Sequence, residues 1–206
     1  MIAAASRKLP KAERREQLLE TAHAIVREEG TEALALGRLA ERAGVSKPIA
    51  YEHFGTRSGL LMALFNAYND RQLDAQRDAL AAGGRTLGDV ARILAEAYVT
   101  CANSIGPEMG AVYAALSGTE ETADFRQSVR DGYLAEYRIA FGRFVVLPAH
   151  TGNAIYSALL GAAEAASQDA AAGRTTHEDA VSALTAIFTA TLGCFSASGP
   201  VQTGAA

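Results

Sequence analysis

Apolar residues recur along this chain at the spacing of an α-helix, segment after segment. Between Lys11 and Glu29, Leu18, Leu19, Ala22, Ile25 and Val26 share one face, which predicts a helix that Gly30 ends. Leu36, Leu39, Ala40 and Ala43 mark the apolar side of a short second helix. Gly44 breaks it, Val45 plugs the angle that follows, Ser46 is a good N-cap, and Pro48 suits the first turn of a third helix. Ala40 and Ala43 are small, so these two helices can cross closely, as in a helix-turn-helix. Thr56 caps a fourth helix that carries Leu60, Leu61, Leu64, Phe65 and Tyr68. It then turns polar and persists to about Ala82, before Gly83-Gly84.

Five more helices follow from the same pattern. One begins after Thr86 and runs through Val90, Ile93, Leu94, Ala97, Tyr98 and Cys101, up to Gly106-Pro107. A short one holds Met109, Val112, Tyr113 and Leu116. A long one spans about Thr119 to Val145, with Phe125, Val129, Tyr133, Leu134, Tyr137, Phe141 and Phe144 as its stripe. After Pro148, an eighth contains Ile155, Tyr156, Leu159, Leu160 and the small run Gly161-Ala162-Ala163, and stops at Gly173. Thr175 with Glu178 resembles a capping box for the ninth, through Val181, Leu184, Ile187, Phe188, Leu192 and Phe195. The tail after Ser196 reads as frayed. The expected fold is all-α with about nine helices. A domain over residues 1–57 holds the arm and the helix-turn-helix, and a helical domain over 58–206 is joined to it through the fourth helix.

The helix-turn-helix residues also carry a family likeness. Leu39-Ala40, Ala43-Gly44-Val45-Ser46, Lys47, Tyr51, His53-Phe54 and Arg57 resemble the DNA-binding signature of the TetR/AcrR family of bacterial transcription regulators. The likeness covers about the first third of the chain, and the remainder has the length and helical character of that family's ligand-binding domain. The resemblance implies a homodimer on double-stranded DNA, with the third helix in the major groove. Tyr51 and His53 match positions it assigns to phosphate or thymine contacts, and Arg57 matches one that grips phosphate. Two positions depart from the pattern. Ile49 stands where the family often has a small or hydroxyl residue, and Ala35 replaces the usual threonine at the start of the second helix.

From the residues themselves, Lys47 at the exposed start of the third helix can donate to guanine or to phosphate. Pro48 lies beside it, Ile49 would meet a thymine methyl, and Ser46 can cap and touch phosphate. Arg38 can supply the contact that Ala35 cannot. Phe54 is expected in the core, and Glu41 and Glu52 as solvated charges.

Charge changes the picture through its distribution. The net charge is −4, yet residues 1–57 carry +2 and the rest −6. Arg7, Lys8, Lys11, Arg14 and Arg15 face only Glu13, so the arm can follow a phosphate backbone or remain a solvated tail. Cys101 and Cys194 belong to no Cys-x-x-Cys pair and read as two buried thiols; no metal or other cofactor is expected. No apolar stretch reaches the roughly 18 residues of a membrane span. No secretory signal is apparent, and a cytoplasmic location is expected.

The later helices show no nucleophile motif, paired carboxylates or phosphate loop, so an enzyme is not expected. Their tyrosines suggest instead a pocket for a small apolar or aromatic effector, lined by Tyr98, Cys101, Met109, Tyr113, Tyr133, Tyr137 and Tyr156, with core packing as the competing use of each. The last two helices suggest a dimer interface of Leu159, Gly161, Ala162, Leu184, Phe188 and Leu192. The leading expectation is a ligand-released repressor on a palindromic operator. A regulator with no small ligand and an all-α enzyme stand as the other readings.

Overall fold

The computed structural model describes residues 9–104, 107–117 and 122–196, with the side chains of 102–104 and 107–108 excepted. Among these residues are nine α-helices. They are α1 (Lys11–Glu29), α2 (Leu36–Arg42), α3 (Lys47–Phe54), α4 (Arg57–Gly83), α5 (Leu87–Ser104), α6 (Pro107–Ser117), α7 (Ala123–Phe141), α8 (Gly152–Ala171) and α9 (His177–Gly193). A 3₁₀ turn, Thr31–Ala33, joins α1 to α2, and Val145 forms an isolated antiparallel bridge with Ser196. The expected Arg7–Lys8 part of the arm, the Thr119 start of the long helix and the tail after Ser196 lie outside the described residues.

The helix ends show why these segments stop where they do. Gly44 has φ +67°, and the two bonds that close α2 run from Gly44 N–H to Glu41 O and from Val45 N–H to Ala40 O. That is a Schellman ending, which needs the left-handed glycine. Thr56 accepts from Gly59 N–H at 2.9 Å and starts α4. Gly59 itself must be glycine, because a Cβ there would lie 2.2 Å from the Phe54 carbonyl oxygen. Thr86 and Asp89 cap α5 reciprocally, and the bonds from the Thr86 hydroxyl and backbone hold the Asp89 carboxyl below its usual range.

Three expectations shift. The capping threonine of α9 is Thr176, whose hydroxyl accepts from Asp179 N–H at 3.0 Å. The described part of α7 is shorter than the apolar stripe, since Val145 leaves the helix to bridge Ser196. Cys194 is exposed and Cys101 half-buried, so they are not two buried thiols.

Contacts divide the chain into two compact units. The first is Met1–Arg71 with Ile105–Gln127. It reaches further than the motif, because α6 packs on α1 and the 3₁₀ turn, and Phe65 of α4 meets the rings of Tyr113 and Phe125. Its buried positions include Leu18, Ile25, Leu39, Ala50, Phe54 and Leu64. The second unit is Gln72–Ser104 with Ser128–Ala206. Here α5 packs against α8 and α9, and Tyr137, Phe141 and Phe188 interlock edge to face at the centre, with ring centroids 5.7–5.9 Å apart.

Candidate nucleic-acid interface

The recognition surface begins with the amphipathic character of α3. Ala50 and Phe54 are buried, Ile49 and His53 are half-buried, and Lys47, Pro48, Tyr51 and Glu52 are exposed. The buried pair docks α3 into its own unit, which leaves Lys47, Pro48, Tyr51 and Glu52 on the opposite, exposed face. Tyr51 is 53% exposed, far more than a large aromatic ring with a structural purpose would be. Lys47 makes no ion pair or hydrogen bond among the described residues, so its ammonium is available. Ser46 occupies the expected N-cap position with extended backbone, but its hydroxyl makes no capping bond and stays on the surface.

Several other basic residues have internal duties. Arg15 lies with its guanidinium 4.9 Å from the Phe54 ring centroid and donates to the His53 carbonyl at 3.0 Å, so α1 pins the C-terminal turn of α3. Arg57 was expected at phosphate. It is instead turned inward, where Nε donates to Leu34 O at 2.9 Å and one Nη to Thr31 O at 2.8 Å. Arg38 was expected to replace a lost threonine contact, and it pairs with Glu29 and Glu41. Arg42 binds Glu28 and Glu29. Hydrogen bonds from Arg42 and Arg38 hold the Glu28 and Glu29 carboxyls below their ordinary range. This network ties α2 to the end of α1, and Ala35 starts α2 with no side-chain cap.

His53 is half-buried beside these groups. Burial is the largest cause that lowers its imidazole from the ordinary value of 6.5, which favours the neutral ring. It can donate a hydrogen bond but brings no positive charge to a phosphate. Lys11, at the start of α1, reaches across to Glu52 at 3.0 Å. Sequence reading missed both this pair and the Arg15 clamp, because separations of 41 and 38 residues leave no local signal.

The pocket candidates fall in both units. Met109 is buried and Tyr113 is exposed, both in the first unit. Tyr98 and Tyr133 form a half-buried ring pair, 5.6 Å between centroids, at the edge of the second unit's core. Tyr137 and Tyr156 belong to that core, and Cys101 is half-buried. Burial raises the Tyr137 phenol strongly, and its hydroxyl finds no hydrogen-bond partner.

The expected dimer residues need correction. Leu159, Leu184, Phe188 and Leu192 are buried in the chain's own core, and Gly161 and Ala162 are half-buried. Facing outward are Ala154, Ala158 and Ala165 of α8, with Ala183, Ala186, Ile187 and Ala190 of α9.

Comparison with known proteins agrees with this geometry. The sequence model of the family described as "Bacterial regulatory proteins, tetR family" matches residues 18–64, from α1 into α4. The HTH-type transcriptional activator FasR of Mycolicibacterium smegmatis is 38% identical over 73 residues, about a third of each protein (35% of this chain, 33% of FasR). A TetR-like transcriptional regulator from Rhodococcus sp. RHA1 has the same fold at 22% identity. Its TM-score is 0.61, over 90% of this chain and 99% of that one. The multidrug binding protein EbrR, solved with imidazole, is similar at 18% identity and TM-score 0.61, over 91% and 97% of the two chains. No described helix is long and apolar enough to cross a membrane. The helix-turn-helix region thus matches the DNA-binding part of tetR-family regulators over residues 18–64, and the chain shares its helical fold with solved regulators of that kind.

Proposed function

We propose that the protein acts as a homodimeric repressor that sets two α3 helices in successive major grooves of a palindromic operator and is released by a small ligand. The observation that carries the reading is the outward row of Lys47 and Tyr51 on a helix whose other face is buried. Lys47, Ser46 and Tyr51 are its contact residues, with Pro48 and Ile49 packing on base edges and His53 as a neutral donor. The dimer forms through the outward faces of α8 and α9. Ala183, Ala186, Ile187 and Ala190 repeat at helical spacing, and alanine allows the close approach that a four-helix interface needs.

An apolar or aromatic effector enters the second unit near Tyr98, Tyr133 and Tyr137. A buried hydroxyl with no partner costs free energy that a ligand carbonyl or hydroxyl would recover, which supports Tyr137 as its anchor. The effector acts only through its preference for the dimer geometry that fits DNA less well. The charge that acts on that phenol is the Glu164 carboxylate, whose sign disfavours a phosphorylated ligand.

The name of FasR favours a second reading, activation; the matched third lies in the DNA-binding part. Selection of bound duplexes from a random pool tests the proposal, followed by a reporter carrying the enriched site across its promoter. The expected result is a palindromic motif, bound more weakly by Tyr51→Ala, with reporter expression that falls when the protein is present. A non-palindromic motif would contradict the dimer, and rising expression would establish the activator.

A further inference from the structure

Glu52 is an acid on the exposed face of α3, and its pairing with Lys11 engages only one of its two carboxylate oxygens. The outward residues of α3 make two rows, each a helical turn long: Lys47 with Tyr51, and Pro48 with Glu52. The proline side chain has no donor or acceptor, so Glu52 is the hydrogen-bonding side chain of its row. One carboxylate oxygen, Oε1, accepts from Lys11 Nζ at 3.0 Å. The other, Oε2, has no partner among the described residues. The two side chains are 72% and 62% exposed, so the ion pair is weak and leaves the carboxylate free to adjust.

A bare carboxylate at this place is repelled by phosphates whatever the DNA sequence. A donor on a base edge turns that uniform penalty into selectivity. In the major groove the donors are the amino groups of cytosine and adenine. Adenine sets its N7 acceptor beside its amino group, and that lone pair repels a carboxylate. Cytosine carries C5–H in place of that ring nitrogen, so its own ring offers no such lone pair.

We infer that Glu52 selects a cytosine in each half-site by accepting a hydrogen bond from its N4 amino group through Oε2, while Lys11 holds Oε1 and offers its remaining N–H donors to the adjacent phosphate. Lys11 thus offsets the repulsion that the acid would otherwise meet, and α1 positions a reading residue of α3. The inference rests on α3 as the recognition helix and adds a base preference to it.

The test selects bound duplexes from a random pool with the full-length wild type, Glu52→Gln and Lys11→Met, at one fixed salt concentration. Wild type should enrich a cytosine at symmetry-related positions, and replacing it should weaken binding about 5- to 150-fold, the range of one good base contact. Glu52→Gln should move the preference at that position to adenine, because an amide matches the N6 and N7 pair. Lys11→Met should keep the cytosine and weaken all duplexes alike. An identical motif from wild type and Glu52→Gln, with affinity raised uniformly, would show that Glu52 acts by charge alone and overturn the inference. A wild type that enriches no motif would overturn base reading by α3 as a whole, a distinct failure.

Discussion

Replacing Arg57 by methionine separates two uses of the same arginine. The sequence places it where a guanidinium grips phosphate; the structure shows it holding the loop ahead of α2. Its Nε and one Nη donate to Leu34 O and Thr31 O, at 2.9 and 2.8 Å. Hydrogen bonds with a charged partner contribute about 1.5–3 kcal/mol each. The side chain is 40% exposed, so water replaces part of what is lost. Leu34 is fully buried, however, and its carbonyl has little access to that water. Methionine retains the apolar stem, which limits the loss to the two bonds and an ion pair with the exposed Glu32 at 3.7 Å, whose contribution is small. A total near 2 kcal/mol follows, or a fall in Tm of about 4–8 °C for a chain of this length. Thermal unfolding followed by circular dichroism reads that directly. Binding of the variant to its operator, measured across a salt series well below its Tm, should keep the wild-type slope, because the guanidinium is committed to the loop. Arg57→Lys should not restore stability, since one ammonium cannot span both carbonyls as the fork does. A Tm within about 1 °C of wild type, with a salt slope shallower by about 0.9, would refute the reasoning and return Arg57 to the phosphate.

Three further outcomes are expected. Ile187→Glu should yield folded monomers by sedimentation, because Ile187 is 43% exposed in the isolated chain, whereas Leu184→Glu should unfold the second unit; a stable Ile187→Glu dimer would move the interface elsewhere. Tyr137→Phe should leave Tm unchanged or raise it, since it removes a buried hydroxyl with no partner, yet should raise the effector concentration needed for release; an unchanged effector response would remove Tyr137 from the site. Glu28 and Glu29 are held below the ordinary 4.5 by hydrogen bonds from Arg42 and Arg38, so their contribution is present above that value and is lost as pH falls through the lowered one. Wild-type Tm should therefore fall below about pH 4.5, and more steeply than that of the Arg38→Gln, Arg42→Gln double variant; equal slopes would show that the network adds no stability.

The helices were legible in the sequence because their causes are local. Apolar spacing, Gly44, Thr56 and Thr86 each act within a turn or two, and the bounds of α1 follow from such signals alone. The outward row of α3 was legible for the same reason, since Ala50 and Phe54 stand at helical spacing from each other. What Arg15, Arg38 and Arg57 do was not legible. A long cationic side chain looks alike in sequence whether it meets phosphate or a carbonyl 23 residues away. The faces of α8 and α9 failed differently. Both sides of these helices are apolar, and periodicity cannot say which side belongs to the chain's own core. Only tertiary packing decided it, because leucine and phenylalanine gain most from full burial, while alanine loses little by remaining outside until a partner covers it. The unpartnered hydroxyl of Tyr137 and the reach of Lys11 to Glu52 are likewise properties of assembled helices: each exists only where two segments distant in sequence share, or fail to share, a hydrogen bond.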